Sequence, residues 1–218
     1  MLVIGLTGTI GSGKSEVARI ARSNGIPVIS SDDVARHIMD TDPEVRAALQ
    51  HRFGNQIVPD SSPISRQHLA ELMFGNTAEH IAHRRFVEQL VHPRVLESIA
   101  CQLDELARTG TPMAIVESAL IYTAGIEHLF DYVVAVVAPE DIRRERVRLR
   151  GSTDDFDRRN DTQLPDAQLR DLADFTIVND GTLDELEDAT KTVLTILRQL
   201  PPRPVEPAED ATDEQATG

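Results

Sequence analysis

Gly8-Thr9-Ile10-Gly11-Ser12-Gly13-Lys14-Ser15 constrains this chain more than any other segment. It matches G-x-x-x-x-G-K-S without a gap, between an apolar run at 2–7 and a helical pattern at 15–23. In that pattern Val17, Ile20 and Ala21 form the apolar face. Strand, glycine loop and helix in this order build a phosphate cradle. The glycines let successive backbone N–H groups turn inward, and the helix N-terminus adds its partial positive charge. Lys14 then supplies a compact cation for the β- and γ-phosphates, and the Ser15 hydroxyl can hold Mg²⁺. Gly8 to Ser15 are therefore expected to bind ATP or a related nucleoside triphosphate. Of 22 basic residues only Lys14 and Lys191 are lysines, so the lysine inside the motif stands out against an arginine background. Lys191 falls on a helical surface pattern and reads as a solvated charge.

The rest of the chain alternates short apolar runs with helical patterns. Strands are expected at 2–7, 26–29, 112–116, 132–137 and 175–178, which predicts an α/β domain with a five-stranded parallel sheet and helices on both faces. About eighty residues between the second and third strands carry no strand signal. Helices are expected there at 43–53, 66–74 and 78–107, as an insertion spanning about 43–110 between core segments 1–42 and 111–200. The stretch 140–163 holds seven arginines. From 201 the chain carries five acidic residues and one basic, and this tail is expected to be disordered.

Charge and composition narrow the partners. A formal charge of −14 argues against duplex DNA or another polyanion, but not against a small phosphorylated ligand. No run is long and apolar enough for a transmembrane helix, and the apolar start lacks a basic flank and cleavage site. A single cysteine, Cys101, offers neither a disulfide nor a zinc cluster. A cytoplasmic protein acting on small molecules, without membrane, nucleic acid or obligate protein partner, is the expectation.

Among phosphate-loop proteins, a GTPase would need Asn-Lys-x-Asp, which lysines at 14 and 191 alone exclude. The third strand ends in one acid, Glu117, read as a cap or a strand-end charge. A small-molecule kinase needs a carboxylate near the γ-phosphate, an acceptor pocket and arginines for the moving phosphoryl group. Asp32 meets the first need if the second strand lies beside the first, where it would take a proton from the acceptor or help hold Mg²⁺ through water. The competing role is N-cap of a helix at 34–39, assigned chiefly to Asp33. Arg143, Arg146 and Arg150 share one helical face. Glu140, Asp141 and Glu145 could equally pair with the run as a solvated surface.

These landmarks resemble the dephospho-CoA kinase family from Leu2 to about Leu197. The segment Ile4 to Ser15 is similar to its loop, which usually has glycine where Thr9 stands. Ser30-Ser31-Asp32, followed by Ala35-Arg36, resembles its Asp-x-Asp segment. Phe53-Gly54, Arg66 with Leu69, and His92-Pro93 resemble landmarks of its helical substrate domain. Arg146 and Arg150, then Arg159 and Gln163, resemble its lid pattern, and Ala173-Asp174, Val178-Asn179 and Gly181 its close. The resemblance implies catalytic roles for Asp32, Lys14, Arg146 and Arg150. It also implies nucleotide contacts from Arg146 and Asn179, and acceptor contacts from Asp32, Arg66, His92 and Glu117. Mg²⁺ would sit on Ser15 and, through water, on Asp32. The implied architecture is a P-loop core, a helical insertion binding the acceptor, and a lid at about 140–165. The implied reaction moves the ATP γ-phosphate to the 3′-hydroxyl of dephospho-CoA, giving CoA and ADP. Two positions depart from the pattern: Thr123 replaces a glutamate after the third strand, and Ser30 replaces the first Asp of Asp-x-Asp. A different nucleoside or nucleotide kinase, and a non-catalytic nucleotide-binding regulator, are the alternatives.

Overall fold

A computed structural model describes residues 1–59, 63–73, 75, 77–151, 156–157 and 160–203. Arg159 and nearly all of the acidic tail lie outside the described residues. The five strands are β1 (Leu2–Gly8), β2 (Val28–Ser30), β3 (Met113–Glu117), β4 (Tyr132–Val137) and β5 (Phe175–Val178), all at the expected places within two residues. They pair in parallel in the order β2-β3-β1-β4-β5.

That order corrects one expectation: β2 does not lie beside β1. β3 runs between them, pairing Leu6 with Glu117 on one side and Ser30 with Glu117 on the other. The long insertion allows this, because the chain leaves β2 at the sheet edge and returns through the gap. Glu117, not Asp32, therefore ends the strand next to the phosphate loop.

Side chains alternate across the sheet as the two-residue period demands. Leu2, Ile4, Leu6, Met113, Ile115, Val134 and Val136 pack against α1 (Lys14–Ser23) and the C-terminal helix, through Val17, Ile20, Leu186 and Leu194. Val116 and Val133 face the other way, toward α2 (Ser31–Thr41), α3 (Pro43–Phe53), α4 (Arg66–Met73) and α5 (Ala78–Arg108). Those four helices share one core, in which Val87, Val91, Val95 and Ile99 form a stripe along α5 at four-residue spacing. At 31 residues, α5 is roughly 46 Å long.

The helix starts follow from local chemistry. Asp42 caps α3, accepting from the N–H groups of Glu44 and Val45, with Pro43 at the first helical position. Thr77 caps α5 through His80 N–H. Ser30 caps α2, its Oγ accepting from Asp33 N–H at 3.2 Å. This corrects a second expectation, that Asp33 is the cap. Because Ser30 takes that role, α2 begins at Ser31, and Asp32 stands in its first turn instead of ending a strand. The chain closes with α6 (Glu140–Leu149), α7 (Asp166–Leu172) and α8 (Leu183–Leu197).

Candidate active site

The phosphate loop leaves β1 at Gly8 and enters α1 at Lys14, with Gly13 at φ +97° as the helix N-cap. A Cβ on Gly13 would fall 2.1 Å from Asn179 Nδ2, so both the backbone angle and the space require glycine. Lys14 Nζ donates to Glu117 Oε1 at 2.8 Å, and Ser15 Oγ donates to the same oxygen at 3.1 Å. The Lys14 and Glu117 side chains are largely enclosed, at 13% and 8% exposure. A carboxylate buried at a strand end needs such a partner, and here it finds the lysine that the motif reserves for phosphates. Expected as an acceptor contact, Glu117 instead stands on the phosphate side.

Asn179 follows β5 and is buried. Its Nδ2 donates to Ser12 O at 2.8 Å, while its Oδ1 and backbone carbonyl each accept from Arg146 at 3.1 Å. Asn179 thus joins the loop to α6, which places Arg146 one residue away from the phosphate loop. Burial, and then the nearby Arg150 charge, hold the Arg146 guanidinium below its usual pKa. Two neighbouring arginines suit an anion. Arg150 itself is the exposed C-cap of α6.

The other arginines of α6 divide by partner. Arg144 pairs with Glu140 and Asp157, and Arg148 with Glu145, so these two form the solvated surface that a charge run usually means. Arg143 shares the Arg146 face but is buried at 5% exposure. It donates to Ala138 O, Ile10 O and Asn160 Oδ1.

Across β3 from the loop lies a cleft of about 430 Å³. Its walls are mostly apolar, from Ala35 and Met39 on α2, Val91 and Val95 on α5, and Leu120 and Phe130 after β3. Asp32, His92 and Ser118 are among its few polar residues. Asp32 is exposed and opens into this cleft with His92, so the structure brings these two together. Arg66 is absent from the cleft lining: it pairs with Asp40 at the end of α2, and Asp40 also accepts from Ile64 N–H. Asp33 pairs with Arg36 on the exposed face of α2. β1 and β2 are two strand spacings apart, about 10 Å, with β3 between them.

Ser15 and Glu117 offer hard oxygen donors within 3.1 Å of each other. That donor set fits Mg²⁺, which keeps waters and takes few protein ligands beside substrate phosphates. No group of three or more His, Cys, Asp or Glu residues suited to a metal occurs among the described residues.

Sequence reasoning missed two contacts on the loop. Thr9 Oγ1 donates to Asp166 Oδ1 at 2.7 Å, and Ile10 N–H donates to Gln163 Oε1 at 2.7 Å. Asp166 reads only as a first-turn acid after Pro165, and nothing local marks it otherwise.

The chain is 37% identical over 196 residues to dephospho-CoA kinase of Corynebacterium glutamicum, covering 89% of this chain and 98% of that protein. The crystal structure of TT1252 from Thermus thermophilus is 32% identical, with a TM-score of 0.73 over 90% of this chain and 97% of that one. Dephospho-CoA kinase from Campylobacter jejuni, 23% identical, shares the fold at a TM-score of 0.60 over 89% of this chain and 96% of that one. The dephospho-CoA kinase profile matches residues 2–185, and the chain, a kinase with a P-loop core, belongs to the dephospho-CoA kinase family.

Proposed function

We propose that the chain transfers the γ-phosphate of ATP to the 3′-hydroxyl of dephospho-CoA, giving ADP and CoA. The observation that carries this reading is the pairing of two half-sites across β3. Lys14, Ser15 and Glu117 stand at the loop mouth, and Asp32 stands at the polar rim of the apolar cleft.

On ATP binding, Lys14 exchanges Glu117 for the β- and γ-phosphates, a stronger partner because the phosphates carry more charge. Ser15 would hold Mg²⁺, with Glu117 and Asp32 as its candidate partners through water, and the ion would supply charge neutralisation at the phosphates. Asp32 accepts the proton of the attacking hydroxyl, and His92 lines the same cleft as an acceptor contact. Arg146 and Arg150 gather on the transferring group, and the segment around 140–165 acts as their lid. Helices α3 to α5 are the acceptor-binding insertion. No described helix is long and apolar enough to cross a membrane. A cytoplasmic location is part of the proposal, supported by composition.

A coupled ADP-release assay with and without dephospho-CoA tests the reading. Release that depends on dephospho-CoA is the expected result. Release driven only by another nucleoside or nucleotide would replace the acceptor, and ATP binding without any release would leave a regulator.

A further inference from the structure

The first half of the phosphate loop is gripped by Asp166, Gln163 and Arg143, none of which the proposed chemistry places on a reacting group. Thr9 Oγ1 donates to Asp166 Oδ1 at 2.7 Å. The other oxygen of Asp166 accepts from Ala138 N–H at 3.2 Å and lies 3.6 Å from Arg143 Nε. The two peptide groups that flank Ile10 are each held once: the Ile10 N–H donates to Gln163 Oε1 at 2.7 Å, and the Ile10 carbonyl accepts from Arg143 Nη1 at 3.2 Å. Gly11 then presses on the same helix, since a Cβ there would lie 2.5 Å from Arg143 O. Three consecutive loop residues thus rest on one assembly from α6 and the start of α7.

A glycine-rich loop binds phosphate well only if its N–H groups already point inward, because each peptide left free to rotate lowers affinity through ordering entropy. One bond to each of the peptide groups flanking Ile10 restrains both planes at the start of the loop. The Thr9–Asp166 bond, a hydroxyl on a carboxyl oxygen at 2.7 Å, is a short and directional tie. Asp166 meets the loop at the Thr9 hydroxyl, whereas Glu117 meets it at Lys14 and Ser15.

We propose that Asp166 is a positioning residue for nucleotide binding, holding the phosphate loop through the Thr9 hydroxyl in its ATP-binding shape before ATP arrives. This rests on the reading of the loop as an ATP cradle and not on the identity of the acceptor.

The test is calorimetric titration of the full chain with Mg·ATP, with the melting temperature of each variant recorded beside it. Asp166→Ala should weaken ATP binding about tenfold, the scale of one charge-assisted hydrogen bond. Asp166→Asn should regain most of it, since its amide can accept from Ala138 N–H and donate to the Thr9 oxygen. Thr9→Val should weaken binding severalfold, and the double variant Thr9→Val with Asp166→Ala should bind no worse than Asp166→Ala alone. ATP affinity within twofold of the parent in Asp166→Ala, with only the melting temperature lowered, would overturn the proposal; so would additive losses in the double variant. If Asp166→Ala does not fold, Thr9→Val decides alone: weaker ATP binding at an unchanged melting temperature supports the tie, and parent-like affinity removes it. A parent that binds ATP but ignores dephospho-CoA would sink the acceptor reading and leave this one intact. A parent that does not bind ATP would sink both.

Discussion

At the scale of single residues, the Lys14–Glu117 pair holds a cation in reserve where phosphate will arrive. Lys14→Ala should lower turnover by orders of magnitude with the fold intact. Lys14→Arg should not restore it, because a planar fork does not replace a point charge in a tight loop; steady-state kinetics on both variants is the check. Glu117→Gln leaves the enclosed ammonium without its countercharge until phosphate supplies one. Its melting temperature without ATP should fall below the parent's, and added Mg·ATP should raise it by more than in the parent. Equal shifts in the two proteins would mean that Lys14 does not change partners. At the acceptor side, Asp32→Asn should lower turnover by about 10²–10⁴-fold, the usual contribution of a positioned base. Its melting temperature should barely move, since Ser30 and not Asp32 caps α2. Asp33→Asn is the control and should keep turnover, because Asp33 faces Arg36 on the exposed side. If the two variants lose activity equally, the base must be sought elsewhere, with Glu117 the first candidate.

At the scale of elements, what could be read from the sequence was whatever local chemistry decides. The helices expected at 43–53 and 78–107 form as α3 and α5, and the structure shows the caps that start them, Asp42 with Pro43 and Thr77, whose effect reaches only the next turn. The arginine run could not be resolved in the same way. Helical spacing sets Arg143 on a face apart from Arg144 and Arg148 but leaves open what each face meets; Arg143 is buried against the phosphate loop, and the other two pair on the surface. Only the packing of α6 against the loop separates them. One brace between elements gives a pH test. The Asp42 carboxyl is held below its usual pKa, first by the Val45 N–H, then by Glu44 N–H and by Arg94 of α5. A lowered folded pKa means stability that is present above the ordinary value near 3.8 and lost as pH falls through the folded value. Asp42→Ala should therefore melt below the parent at pH 7, and the gap should close as pH drops below 3.8. A gap that stays constant into acid would show that the charge of Asp42 contributes nothing.

At the scale of the whole molecule, the strand order decides which residues meet. The five parallel strands were legible from their apolar runs, but the order was not, because it depends on where the insertion returns the chain. That return places β3 between β1 and β2 and divides the active region in two: nucleotide groups on the β1 side, the apolar cleft and Asp32 on the β2 side. If this division holds, the two ligands can be disturbed separately. Ala35 sits one turn after Asp32 on α2, half-buried, and lines the cleft without touching the loop. Ala35→Trp projects an indole into that space, where Val91, Val95 and Phe130 can pack against it. The KM for dephospho-CoA should then rise by at least about tenfold, on the scale of a lost apolar contact surface. ATP affinity should stay within twofold, and the melting temperature should hold or rise as apolar area leaves water. A loss of ATP affinity equal to the loss for the acceptor would mean that cleft and loop form one pocket. An unchanged acceptor KM would place the acceptor outside the cleft altogether.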